Sequence, residues 1–225
     1  MDLAFDEFVL AAATGDPTEE PAAREHADCV EFRMDLAEDD PLDALAGYDG
    51  ELPLLVTDRP AWEGGEAADE GRVDALVSAV EHEAVAAVDV ELHEVAGGDG
   101  LDVVEAARAS GAKVVVSVHD FEGTPPRGEL RRLIDRASDY GDVAKLAVTA
   151  ESPDDTLALL AVTRAHASAG RTVATMAMGE AGRHTRVVAP LYGSRIGYAP
   201  VDPDRATAPG QYDLATLARL VGELR

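Results

Sequence analysis

The chain has 225 residues, of which 46% are hydrophobic and only 4% aromatic, and a formal net charge of −25 at pH 7. That length is one at which α/β barrels form a single unit, and acids spread along the whole sequence describe a surface and not a disordered tail. Such a field repels nucleic acid and anionic membranes and strains the fold in dilute salt, which points to a halophilic protein.

Cys29 is the sole cysteine, so an intramolecular disulfide and a cysteine-rich metal site are excluded; among apolar neighbours it reads as a packed core thiol. Met1 to Glu7 contain no basic residue, and no apolar run nears the length of a membrane span, so a cytoplasmic location is expected.

The first predicted strand, Phe8–Ala13, leads into Ala13-Thr14-Gly15-Asp16-Pro17, which lacks the glycine spacing of a dinucleotide loop. The second, Cys29–Met34, carries Glu31 and Arg33 on one face, and the third, Leu52–Thr57, is followed by Arg59. Helical spacing at Val73, Leu76, Val77 and Val80 leads to a fourth strand, Ala84–Leu92, which holds Glu91. The fifth, Lys113–Val118, closes on His119, with Lys113 expected to be solvated on the opposite rim. The sixth, Val143–Val148, surrounds Lys145.

Leu157, Leu160, Ala161 and Arg164 mark the next helix, before a seventh strand at Thr172–Met176 with Met176 and Met178 at period-2 spacing. A weaker eighth strand at Ile196–Ala199 precedes a last helix through Leu214, Leu217, Leu220 and Val221. Eight alternating units without a linker predict an α/β chain folded as a single (β/α)8 TIM barrel over residues 1–225, a doubly wound sheet being the alternative.

Glu31, Arg59, Glu91, His119, Lys145 and Met176 recur roughly every 30 residues, the length of one βα unit, so they fall at equivalent points around one barrel mouth. Charged groups on an inward face must pair with each other or with a ligand. Lys145 has no acid in its own strand; desolvation there suits an imine-forming amine, although a lysine snorkelling from a strand end fits the same pattern. His119 is placed to exchange protons with a substrate held by Lys145, or is a core histidine satisfied by Asp120.

Glu91 could orient His119, cap a helix or sit in an ion pair. Arg33, Arg59 and Arg186 supply fixed charge for a carboxylate or, individually, structural ion pairs. Met176 and Met178 are core residues or an apolar wall of the site. His82, His93, His166 and His184 are expected on the surface.

These landmarks resemble one family. Glu31-Phe32-Arg33-Met34-Asp35 is similar to the E-x-R-x-D element of type I 3-dehydroquinate dehydratases, and Thr57-Asp58-Arg59-Pro60-Ala61-Trp62-Glu63-Gly64-Gly65 to their T-x-R-x-x-x-E-G-G loop. Asp89-Val90-Glu91-Leu92, Ser117-Val118-His119-Asp120-Phe121 with Thr124-Pro125, Lys145, Met176-Ala177-Met178-Gly179, Thr185-Arg186, Gly193-Ser194 and Ala208-Pro209-Gly210-Gln211 follow in collinear order. Thr185 and Thr207 stand where the family usually has serine, and the start close to the first strand implies a barrel bottom covered in its own way.

The resemblance implies loss of water from 3-dehydroquinate to give 3-dehydroshikimate in the shikimate pathway, by a homodimer using no metal or organic cofactor. Lys145 would form the imine, His119 would move the protons and Glu91 would position His119. Arg186, Thr207 and Gln211 would bind the carboxylate, and Glu31, Arg33 and Arg59 the ring hydroxyls. Three rivals remain: an aldolase-like imine lyase, a metal-dependent isomerase using Glu31, Glu91 and His119, and a barrel that only binds a carboxylate metabolite.

Overall fold

Each apolar run expected as a strand is one in the computed structural model, which describes residues 3–224. The strands are β1 (Val9–Thr14), β2 (Cys29–Arg33), β3 (Leu54–Thr57), β4 (Val85–Glu91), β5 (Lys113–Asp120), β6 (Val143–Thr149), β7 (Val173–Met178) and β8 (Ile196–Pro200). Between them run helices α1 (Glu20–Ala23), α2 (Pro41–Ala46), α3 (Arg72–Ala79), α4 (Leu92–Gly97), α5 (Leu101–Ser110), α6 (Arg127–Ser138), α7 (Pro153–Ser168), α8 (Gly179–Gly182), α9 (Thr185–Val188) and α10 (Leu214–Leu224). All the strand pairs are parallel, in the order β7-β6-β5-β4-β3-β2-β1-β8.

Local chemistry accounts for several boundaries. The longest helix, α7, opens with Ser152 and Asp155 capping each other's backbone N–H groups and with Pro153 at its first position. Strand β3 starts two residues later than expected because the Leu52 N–H donates to the buried carboxylate of Glu20 (3.1 Å) and not to a neighbouring strand. Strand β5 runs on to Asp120, where His119 still pairs with Ala147 of β6.

The barrel closes between β7 and β8 without a regular ladder. Arg195 N–H donates to Val173 O (2.8 Å), and the Ser194 hydroxyl accepts from Thr175 N–H (2.9 Å) and returns a bond to Thr175 O (3.3 Å). A side chain thus replaces the strand-to-strand bonds that the seam lacks.

Apolar side chains from the outer strand faces pack against the helices, while a second cluster fills the barrel itself. Leu3 and Phe5 join the interior cluster with Val9, Cys29, Leu55, Val115, Val143 and Ile196. They stop the lower end, which answers how the bottom is covered. Cys29 is fully buried and burial pushes its thiol up, as a core thiol requires.

One histidine departs from expectation. His166 is buried on α7, its Nδ1 2.9 Å from Val162 O and its Nε2 3.3 Å from Asp135, because α7 turns that position toward α6. His93 and His184 are exposed and His82 is half-buried. Lys113 is solvated at the strand start, 3.7 Å from Asp142.

Candidate active site

The C-terminal ends of the strands surround a chamber with about 490 Å³ of empty space, part of it open to solvent. Glu31 and Arg33 enter it from β2, Arg59 from just beyond β3, His119 from β5, Lys145 from β6, and Met176 and Met178 from β7. Arg186 on α9 and Thr207 and Gln211 of the loop after β8 complete the wall. All but one of the expected site residues are therefore brought together; the exception is Glu91.

Lys145 is buried, and its Nζ donates to Asp89 Oδ2 at 2.8 Å, with Glu31 Oε1 3.9 Å away and the Tyr198 ring centroid at 4.3 Å. The strand of Lys145 itself holds no acid, and its carboxylate neighbours come from other strands. Alternating side chains on β4 and β2 deliver carboxylates that are remote in sequence.

Asp89 is the hub. It also faces Arg59 (2.8 Å) and accepts from Ser117 Oγ (2.6 Å). Burial opposes its ionisation, but Arg59 and Lys145 outweigh that and hold its carboxyl well below the usual range. Burial likewise works against the charge of Arg59, and Asp89 and Glu91 more than compensate, keeping the guanidinium charged.

Glu91 does not reach His119. Its two oxygens are taken by Arg59 and by Arg72 Nη1 (2.7 Å), a buried arginine on α3 that also donates to Asp58 O (3.1 Å). Burial raises its pKa against the opposing pull of these guanidinia. The residue beside the histidine is Glu63: its Oε1 accepts the His119 backbone N–H at 2.6 Å and lies 3.1 Å from Nδ1.

When Glu63 is ionised, one oxygen accepting both groups selects the Nδ1–H tautomer and leaves Nε2 with a lone pair. Burial, with Glu91 and Asp89 acting against Arg59, pushes Glu63 up to about 8. Burial, then Arg59 and Lys145, hold His119 well below the usual histidine value, so its ring rests neutral.

Glu63 was within reach of sequence reasoning, since it closes the T-x-R-x-x-x-E-G-G loop. The glycines explain its placement. Gly64 adopts φ +82, and a Cβ on Gly65 would lie 2.0 Å from Arg59 O, so the loop folds back on Arg59 and turns Glu63 inward. Arg72 carries no comparable signal.

Across the chamber, Arg186 is buried, yet no carboxylate of the described residues pairs with it. Nη2 donates to Pro209 O (3.2 Å) and Nε has no partner among them. Burial lowers its pKa to about 10. Gln211 Oε1 accepts from Thr207 N–H (2.8 Å) and Ala208 N–H (3.2 Å), which shapes the loop beside it.

Arg33 is held by Asp35 through Nε (2.7 Å), and Glu31 accepts from Thr57 Oγ1 (3.1 Å). Thr185 does not face the chamber; its hydroxyl accepts from Ala177 N–H (2.8 Å) and donates to Gly182 O (2.7 Å), tying α9 to β7. No cluster of metal-ligating side chains occurs among the described residues.

The fold and the contents of its mouth are those of a barrel lyase. The family model of type I 3-dehydroquinases matches residues 16–224, and the chain belongs to that family. A 3-dehydroquinate dehydratase of Haloarcula marismortui is 60% identical over 98% of this chain and 98% of its own. One of Halobacterium salinarum is 52% identical over 98% and 99%. The crystal structure of 3-dehydroquinate dehydratase from Geobacillus kaustophilus superposes with a TM-score of 0.86 at 29% identity, covering 97% of this chain and 91% of that one. The expected acidic, salt-adapted character fits the two haloarchaeal relatives.

Proposed function

We propose that this protein removes water from 3-dehydroquinate to give 3-dehydroshikimate in the shikimate pathway, with Lys145 as covalent catalyst and His119 as the acid and base. The observation that carries this reading is a buried amine sharing one chamber with an uncompensated guanidinium, Arg186, that awaits an anion. Arg186, with Thr207 and Gln211, binds the substrate carboxylate; Glu31, Arg33 and Arg59 hold the ring hydroxyls, and Met176 and Met178 form an apolar wall.

Lys145 gives up one proton and its amine adds to the ketone carbon; that proton goes with the carbinolamine hydroxyl, which leaves as water, so the ammonium becomes a protonated imine with no net proton change. His119 Nε2 removes the adjacent C–H proton, whose electron pair passes into the imine to form an enamine. The enamine expels the neighbouring hydroxyl, which leaves as water with the proton returned by His119. Hydrolysis then frees the lysine and the conjugated ketone. Glu63 positions His119 and balances its charge, while Asp89 and Arg59 fix the lysine's surroundings.

Because the imine is itself the electron sink, this chemistry calls for no metal or organic cofactor, and a chelator should leave the rate unchanged. Borohydride trapping with 3-dehydroquinate in molar KCl, read by intact mass, tests the assignment. Adduct on wild type and none on folded Lys145→Ala is expected; a chelator-sensitive enzyme without adduct would point to the isomerase reading.

The reading extends to one catalytic domain, residues 1–225, working as a cytoplasmic homodimer without a nucleic-acid partner. The net charge supports the last point. Among the described residues no helix is long and apolar enough to cross a membrane. Light scattering in high salt checks the dimer.

A further inference from the structure

Tyr198 lies on β8, buried in the barrel interior, with its ring face 4.3 Å from Lys145 Nζ. The strands around it make room. Ala174 of β7 stands level with Lys145, and Ala11 of β1 stands level with Tyr198, so small residues lie beside both ends of the contact. The phenol hydroxyl is buried and makes no hydrogen bond among the described residues, so the residue is not held there by its oxygen. Burial, with Glu31 and Asp89 nearby, keeps that hydroxyl protonated and the ring neutral.

From this geometry we infer that the Tyr198 ring takes a direct part in the reaction, stabilising positive charge on Lys145 Nζ through its π face as the amine becomes an iminium. The inference rests on the imine reading given above. An ammonium brings three N–H donors to Asp89 and its neighbours, but a protonated imine nitrogen keeps only one, which Asp89 at 2.8 Å can retain. An aromatic face needs no N–H to act on charge. It therefore acts on the intermediate when hydrogen bonds to the nitrogen are fewest, in a desolvated setting where cation–π attraction is strongest.

Ring electronics can be varied with little change of shape. Tyr198→Phe is compared with variants that carry mono-, di- and trifluorinated phenylalanine at the same position, introduced by nonsense suppression, and with Tyr198→Leu. Steady-state kinetics in molar KCl, borohydride-trapped fraction and melting temperature are measured for each. Expected is a progressive fall in kcat along the fluorine series, about tenfold in total, with KM moving less than about threefold. Tyr198→Phe should recover most of the rate lost in Tyr198→Leu. A kcat that is flat across the series overturns the inference, as does a Tyr198→Phe variant as slow as Tyr198→Leu, which would assign the effect to the hydroxyl. If the wild type itself forms no adduct, the imine reading fails instead; if it does and the series is flat, only the role of the ring is lost.

Discussion

Replacing Glu63 by glutamine separates the two services its carboxylate gives to His119. An amide oxygen still accepts the backbone N–H and Nδ1–H, but it no longer balances the imidazolium formed when Nε2 takes a proton. A hydrogen bond to a charged partner contributes about 1.5–3 kcal/mol and a neutral one about 0.5–1.5 kcal/mol, so the variant loses about 1–1.5 kcal/mol in the transition state. That is a drop in kcat of about five- to thirteenfold.

The pH profile carries the sign. Burial pushes Glu63 up to about 8, so its useful anionic form is gained as pH rises through that value, and kcat of the wild type climbs on an acid limb there. Glu63→Gln has no group to titrate at that position, and the limb should vanish while the plateau falls. Stopped-flow absorbance of the conjugated product between pH 6 and 10 measures both. A limb near pH 8 that survives in Glu63→Gln, or one that disappears in Glu91→Gln instead, would refute the assignment of Glu63 over Glu91.

Asp89→Asn should cost about 3–5 kcal/mol in urea unfolding, because Lys145 and Arg59 would remain buried beside an amide. Ser194→Ala should cost about 1–3 kcal/mol by leaving Thr175 N–H without its partner at the seam, with kcat near wild type in molar KCl. Phe5→Ala should cost about 3 kcal/mol by opening the stopped end of the barrel. With a net charge of −25, the thermal midpoint should rise steadily as KCl goes from dilute to molar, and an unchanged midpoint would refute the salt-adaptation reading.

The strands were legible because each carries its own hydrophobic record. Cys29–Arg33 and Val143–Thr149 announce both their length and the polar residues they present. Pairings between elements were less so. Nothing local to Val143–Thr149 shows that Asp89 sits against Lys145, because that contact follows from the curvature of the barrel. Glu91 read equally as an orienter of His119, a helix cap or an ion-pair member, and only the resemblance favoured the first; the buried guanidinium of Arg72, on a helix with no marking motif, and that of Arg59 make it an ion-pair member. Glu63 lies in a loop whose path depends on two glycines, and a loop residue's direction is not set by any period. The seam between β7 and β8 was hidden for a related reason: Ser194, just ahead of a weak run, does the work of a ladder.

The pairing of β1 with β8 sets an order of events during synthesis. Val9 meets Ile196, so the first strand waits for nearly the whole chain before it gains its second neighbour. Until then one edge of β1 is unpaired and Leu3 and Phe5 have no complete interior to enter, a topology that makes closure late and slow. A nascent chain with a bare strand edge is prone to stick to its copies. The acids distributed from the first turn to the last give every partly made chain the same sign of charge, so the repulsion that strains the finished barrel in dilute salt also keeps unfinished ones apart.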